Sequence, residues 1–298
     1  MKKHNIIAMA LTSLMALPVI AQDSTPAVGD ILQGINMFTP EEGDPAYKVK
    51  ANEKYGTQWG VDMAYGLWNT EKVSDVKRHN NLALLHAQLN QRLIEDKANG
   101  GTWLRVEFSG SWGLDRESAQ SDTFFTEAYA TASGLHADAM GPHEGIFPEV
   151  ALMQYFAGKR ACLIAGMVNL TNYFDAVSIA NDSFSSFTND GFVNSTILPL
   201  VDSNIGGILQ VELNRNNYMM VAVSRTGCDS GYNPFNSDYC DGYAVVGEYG
   251  HIFADGAATL RINPFYTSTD VDMDDGTGER RRQNAGLSRR PSGLRKTT

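Results

Sequence analysis

Apolar and polar residues alternate over many short stretches of residues 58–267. In 102–112, for example, Leu104 and Val106 share one face, opposite Arg105. Successive side chains of a β-strand point to opposite faces, so this pattern predicts strands with one apolar and one polar side. The stretches that show it, strongly or weakly, are 59–68, 82–94, 102–112, 149–157, 160–168, 205–213, 218–225, 242–253 and 257–267.

The connectors between these predicted strands are short and long in turn. The short ones, 95–100, 158–159, 215–217 and 254–256, are rich in Gly, Asn, Asp and Lys, as hairpin turns are. The long ones are 69–81, 113–148, 169–204 and 226–241. Bacterial outer-membrane barrels join their strands by short periplasmic turns and long external loops. The order of connectors therefore predicts an all-β, antiparallel transmembrane β-barrel of the outer-membrane porin type.

Two alternatives to this prediction have to be weighed: one further strand, and a soluble β-sandwich instead of a barrel. Residues 123–133 are apolar enough for a strand, but a strand there would break the order of connectors, so we place them in a long loop as a short helix. A soluble β-sandwich also alternates with a period of two. Its loops need not alternate between short and long, and its strands rarely carry aromatic residues at the ends of the apolar face, as Trp59 and Tyr65 do.

The start of the chain is typical of an exported protein. Residues 1–21 begin with Lys2 and Lys3, continue with an apolar centre and end with Val19 and Ala21 at the small-residue positions of a cleavage site. This predicts a secretory signal peptide. Residues 22–57 are polar and lack a clear period, so we expect a periplasmic lead-in segment.

The last residues differ from the rest. Alternation stops after Thr267, and residues 279–298 carry seven Lys and Arg against one acid in a chain of net charge −10. We expect 268–298 to lie outside the barrel, which would then be cut short by a shifted reading frame or a premature end. An odd number of strands agrees with this, because bacterial single-chain barrels have even counts. The alternative is a basic arm that binds nucleic acid or anionic lipid.

The sequence contains no catalytic or metal-binding motif with the required spacing. His143 and Glu144 lack the second His of a zinc-protease helix. We therefore expect no enzymatic activity, no metal and no cofactor. Cys228 and Cys240 bracket a predicted external loop, and an exported protein folds in an oxidising compartment, so they are a candidate disulfide, with two free thiols as the alternative.

One long loop is rich in amides and aromatic residues. It carries NLTNYFD at 169–175, AND at 180–182, FTN at 187–189 and FVN at 192–194. Together with Gly166-Met167-Val168, this segment resembles the central signature of the carbohydrate-selective porins, the OprB family. The resemblance implies a sixteen-stranded, monomeric barrel in the bacterial outer membrane, with loops folded inward, through which monosaccharides diffuse. Nine of those sixteen strands would be present here.

The expected partners are therefore small carbohydrates and outer-membrane lipid, with no nucleic acid. The expected function is passive, sugar-preferring diffusion. Amides and carboxylates can hydrogen-bond adjacent hydroxyls, and charges on a pore wall select solutes. The candidate wall residues are Asp62, Arg92, Arg105, Glu107, Gln210, Glu212 and Arg261, and the candidate constriction residues are Tyr173, Phe174 and Asp175. The alternatives are a general or ion-preferring porin without a sugar site, or a secreted β-sandwich that binds carbohydrate.

Overall fold

A computed structural model of the chain describes residues 45–69, 79–114, 144–174, 198, 200, 203–226, 242–253, 258–268, 270–272, 280–282 and 286–292. A helix, α1 (Ala46–Tyr55), precedes the strands. The strands are β1 (Thr57–Asn69), β2 (His79–Ile94), β3 (Thr102–Gly113), β4 (Glu144–Phe156), β5 (Ala161–Val168), β6 (Asn204–Asn214), β7 (Asn217–Thr226), β8 (Gly242–Phe253), β9 (Ala258–Thr267), β10 (Asp270–Asp272), β11 (Arg280–Arg282) and β12 (Gly286–Ser292).

The first nine strands form one antiparallel meander in which each strand pairs with its neighbours in sequence. All nine predicted strands are present, most with ends within one or two residues of the prediction. The largest difference is in β4, which begins five residues before the predicted start at Glu149. It contains Pro148, which cannot donate a ladder hydrogen bond. The register shifts there, and two residues of β4 face Phe108 of β3, so the proline sits in a β-bulge.

The meander has an apolar outer face and a closely packed inner face. Outward side chains from most strands are at least one-third exposed, among them Met63, Leu152, Leu163 and Val223. Inward side chains of the same strands are buried, as in β3, where Trp103, Arg105, Glu107, Ser109 and Ser111 alternate with their outward neighbours. The centre of the inner face is apolar, with Met153, Ile164, Ile208, Ala222 and Val246 all at 0% exposure.

Helix α1 lies within the lead-in segment, where the sequence predicted no element. It ends at Gly56, whose φ of 64° is left-handed and whose amide donates to Asn52 O at 2.9 Å. A Cβ at Gly56 would lie 2.5 Å from Arg92 Cβ, so glycine is needed for space as well as for backbone conformation. Tyr47 stacks on the Trp59 ring at 6.2 Å, which fixes the helix beside the outer face of β1. None of the described helices is long and apolar enough to cross a bilayer.

The tail contributes a tenth strand to the sheet, which differs from its predicted position outside the barrel. Strand β12 pairs antiparallel with β9, from Gly286 opposite Phe265 to Ser292 opposite Thr259. The unpaired backbone groups at the edge of β9 can pair with any extended segment, whatever its side chains. A prediction that relies on apolar alternation therefore does not detect β12. Strands β10 and β11 form a separate pair that joins an acidic segment to a basic one. Residues 123–133 lie outside the described residues.

Candidate functional site

The inner faces of β3 and β4 carry a buried ionic cluster. Glu107 and Glu149 are direct cross-strand partners, an arrangement that is unfavourable for two like charges. Arg105 offsets it: its Nε lies 3.2 Å from Glu149 Oε2, and its Nη2 lies 3.9 Å from Glu107 Oε2. The side chains of Arg105 and Glu149 are both 0% exposed. Removing the charge of Arg105 would therefore leave two buried, neighbouring carboxylates without this compensation.

The segment after β5 completes this cluster. Asn169 accepts hydrogen bonds from Thr171 N at 3.1 Å and Thr171 Oγ1 at 2.6 Å, which starts a 3₁₀ turn at Leu170–Asn172. The turn directs Asn172 back across the sheet, where its Nδ2 donates to Glu107 Oε2 at 2.7 Å and Glu149 Oε2 at 3.1 Å. The side-chain amides of Asn169 and Asn172, in the segment that resembles the OprB signature, therefore hold the chain against the inner wall.

Tyr173 adds two contacts to the ionic cluster. Its hydroxyl donates a hydrogen bond to Glu149 Oε1, and its ring lies 5.7 Å from the guanidinium of Arg105. Burial raises the pKa of Tyr173 well above its usual value, so the hydroxyl stays protonated and remains a donor. On the opposite side of the cluster, His86 Nε2 lies 2.8 Å from Glu107 Oε1.

A second ionic cluster lies on the inner faces of β7, β8 and β9. Tyr218 OH donates to Glu248 Oε1 at 2.6 Å, and Asn263 Nδ2 donates to Glu248 Oε2 at 2.8 Å. Arg261 Nε is 3.1 Å from the Tyr218 hydroxyl and 3.5 Å from Glu248 Oε1. Gly250 makes the cluster possible, because a Cβ there would lie 1.9 Å from the Tyr218 ring.

The predicted site residues are divided among several places. Arg105, Glu107 and Tyr173 meet in the first cluster, and Arg261 lies in the second. Phe174 is not exposed to a channel; at 0% exposure it packs in the apolar core. This side chain is fully covered because the 3₁₀ turn folds it onto the wall.

The other predicted wall residues lie apart from both clusters. Gln210 is fully buried, and its Nε2 contacts Met220 Sδ at 3.4 Å. Arg92 lies over the Trp103 ring at 5.8 Å. Asp62 is exposed on the inward side of β1, and Glu212 is partly buried near the turn between β6 and β7. Three further predicted residues, Asp175, Cys228 and Cys240, lie outside the described residues.

Sequence reasoning missed half of the first cluster and all of the second except Arg261. Glu149, His86 and Asn172 belong to the first, and Tyr218, Glu248 and Asn263 belong to the second. Strand parity could have found Glu149 and Glu248, since both are polar residues facing the side opposite the apolar stripe. Nothing in the sequence around Asn172 shows that the turn folds back onto β3. No group of three or more His, Cys, Asp or Glu able to hold a metal occurs among the described residues.

Comparisons with known proteins give one result. No family model matches the chain, and no match appears among curated proteins. Among solved structures, OprB of Pseudomonas putida superposes with a TM-score of 0.56 and 13% sequence identity, covering 79% of this chain and 58% of that one. The chain thus spans somewhat more than half the length of that structure. The predicted porin-type antiparallel barrel and the OprB-like resemblance are confirmed at the level of the fold.

Proposed function

We propose that this chain forms an outer-membrane porin through which small hydrophilic solutes diffuse passively, with a preference for sugars. The observation that carries the proposal is the separation of charge and apolar surface across one curved sheet. The described ion pairs between strands, including Arg105–Glu149 and Arg261–Glu248, lie on the inner face. The outer face instead exposes large apolar side chains from most of the strands of the meander.

Such an outer face is suited to lipid and poorly suited to water. Exposed apolar patches larger than a few hundred Å² are rare on soluble monomers. Here the exposed residues form a belt, with aromatic side chains near its two ends. At the end with long connectors, Tyr243 and Tyr266 pack together at 5.9 Å, and at the end with short turns Phe253 contacts His251 at 4.3 Å. Aromatic girdles at both interfaces are typical of outer-membrane barrels.

Such a pore selects solutes by transient binding and does not change them chemically. Fixed charges on the inner face set the field along the water path, and polar contacts must be weak enough for solutes to leave. The segment containing Tyr173 and Phe174 is packed against the inner wall, with both side chains buried. The sugar preference is supported by the resemblance of this segment to the OprB signature and by the amide and carboxylate groups around it.

Planar-bilayer recordings test this proposal. The full chain, purified in detergent, should produce discrete conductance steps in KCl, and added glucose should block part of the current in a concentration-dependent manner. Steps without sugar block would indicate a general porin. A protein that leaves the cell by osmotic shock, binds sugar and never conducts would be a secreted carbohydrate-binding protein, which would contradict the proposal.

A further inference from the structure

Helix α1 carries a face of tyrosine and lysine that the proposed passage of solutes does not use. Positions i, i+4, i+7 and i+8 of a helix lie on one side, and in α1 these are Tyr47, Ala51, Lys54 and Tyr55, with Lys48 at the border. The two tyrosines are 61% and 60% exposed, although each has a large apolar ring. We name Tyr47, Lys48, Lys54 and Tyr55 the tyrosine–lysine face.

Contacts with β1 and β2 place this face beside the outer side of the sheet. The Tyr47 ring stacks on the outward Trp59 ring of β1, with 6.2 Å between the ring centroids. Lys48 Nζ lies 4.9 Å from the centroid of the same Trp59 ring. At the other end of the helix, Gln91 Nε2 of β2 donates a hydrogen bond to Tyr55 O at 2.9 Å. The helix is therefore held to the sheet at both of its ends.

The tyrosine–lysine face lies at one border of the apolar belt. Helix α1 leads into β1 at Thr57, which pairs with Gln91 close to the end of β2, so the helix is at the end of the sheet with the short turns. On the outward side of β1, Val61 and Met63 are 49% and 79% exposed. Met63 is only about 13 Å along the strand from Trp59. Short turns of bacterial barrels face the periplasm, so this border would meet the headgroups of the periplasmic leaflet.

The lysines of α1 have no ion-pair partner within the part of the chain that the structure describes. The helix carries Lys48, Lys50 and Lys54 against one acid, Glu53, in a chain of net charge −10. Two of the ammonium groups lie over aromatic rings, and Lys54 Nζ is 4.8 Å from the centroid of the Tyr55 ring. An aromatic ring attracts a cation but does not neutralise its charge. These ammonium groups are therefore held in place and remain available to an anion.

Position and chemistry together indicate the ligand. An ammonium group has three N–H donors and no acceptor, so it suits the phosphate oxygens of a lipid headgroup. Tyrosine and tryptophan concentrate where hydrocarbon meets water, because their rings are apolar and their tips are polar. An acidic cell-wall polymer would also attract lysine, but it has no apolar part to match the adjoining belt. We propose that the tyrosine–lysine face binds the headgroups of anionic phospholipids, such as phosphatidylglycerol. This goes beyond the passage of solutes and rests on the proposed contact between the outer face and lipid.

Lipid binding to the full chain in detergent tests this proposal. Native mass spectrometry with added phosphatidylglycerol or phosphatidylcholine gives the Kd of each lipid, and the wild type should bind phosphatidylglycerol more tightly. Lys48→Gln with Lys54→Gln should weaken phosphatidylglycerol binding about 30-fold, from about fivefold, or about 1 kcal/mol, for each lysine. Binding of phosphatidylcholine should not change. Lys48→Arg with Lys54→Arg keeps both charges and should keep the preference.

The matched control is Lys97→Gln with Lys159→Gln, which removes the same charge from two exposed lysines in the short turns at this end of the sheet. Its affinity for phosphatidylglycerol should stay close to that of the wild type. An equal loss in the control and in the test variant would mean diffuse attraction to a basic rim, and would overturn the inference. Retention of the wild type on purified peptidoglycan, without preference between the two lipids, would overturn it in favour of the cell wall.

Conductance separates this inference from the porin proposal. The lysine variant should conduct as the wild type does, because neither substitution lies on the inner face. Selective binding of phosphatidylglycerol, lost in the lysine variant of a protein that never conducts, would support the lipid site and contradict the porin proposal. Discrete conductance steps together with equal binding of both lipids would support the porin proposal and reject the lipid site.

Discussion

The buried ion pair between Arg105 and Glu149 gives the sharpest prediction of stability. In Glu149→Leu, the guanidinium of Arg105 loses a carboxylate at 3.2 Å and keeps only Glu107 at 3.9 Å, while both remaining side chains stay buried. Breaking a buried pair in this way typically costs about 3–5 kcal/mol. Relief of the repulsion between the two carboxylates places the expected loss near the lower end, at about 3 kcal/mol.

Urea unfolding in detergent micelles, followed by tryptophan fluorescence, measures this free energy. Glu95→Leu, at an exposed position in the turn after β2, is the matched control and should change the free energy of unfolding by less than about 0.5 kcal/mol. The double variant Arg105→Met with Glu149→Leu should recover most of the loss, because well-packed apolar residues can replace a buried ion pair and Glu107 keeps His86 Nε2 at 2.8 Å. A loss below about 1 kcal/mol in Glu149→Leu, or a double variant less stable than the single one, would refute this reasoning.

Three further predictions concern other parts of the structure. Gly250→Ala should destabilise the protein, because the new Cβ would overlap the buried Tyr218 ring, and the loss should be much smaller in a Tyr218→Leu background. Thermal unfolding of the wild type, the two single variants and the double variant measures this coupling. Leu152→Arg, on the outer face of β4, should make the free energy of folding into phospholipid vesicles less favourable by about 2–4 kcal/mol. Gln154→Arg, on the same face but nearer the turn, should have a smaller effect. The folded fraction is measured on a heat-modifiability gel. A hydrogen bond from the Asn99 side chain lowers the pKa of Asp96. The stability that the Asp96 carboxylate adds to its turn is therefore present above about pH 4 and is lost as the pH falls through the lowered pKa of the folded protein. Asp96→Asn should remove this acid dependence from urea unfolding titrations.

The strands of this protein could be predicted from sequence because their signal is local. A lipid-facing position must be apolar whatever its distant neighbours are, so the alternation in β3 or β8 follows directly from the environment. The same reasoning fails for elements that have no apolar, lipid-facing side. Helix α1 packs through Tyr47 on Trp59 and has no apolar stripe, and β12 is held by backbone pairing with β9.

The inner face was less predictable for a different reason. Parity places Arg105 and Gln210 on the inner side, but it cannot show which inward side chains meet one another. That depends on the curvature of the sheet and on the turn after β5, which brings Asn172 and Tyr173 to β3 and β4. The candidate role of these residues in contacting solutes stays a prediction, as does the disulfide between Cys228 and Cys240, which lie outside the described residues.

Each of the strands β1–β8 pairs only with its neighbours in sequence, and this has an evolutionary consequence. A hairpin can be gained or lost without changing the partners of strands farther along the chain, because no contact in the ladder crosses over another strand. The hairpin is thus the unit by which such a wall widens or shrinks. Duplication of a segment like β6–β7 would enlarge the circumference of the wall. The apolar outer face and the buried charges of the remaining hairpins would stay in place.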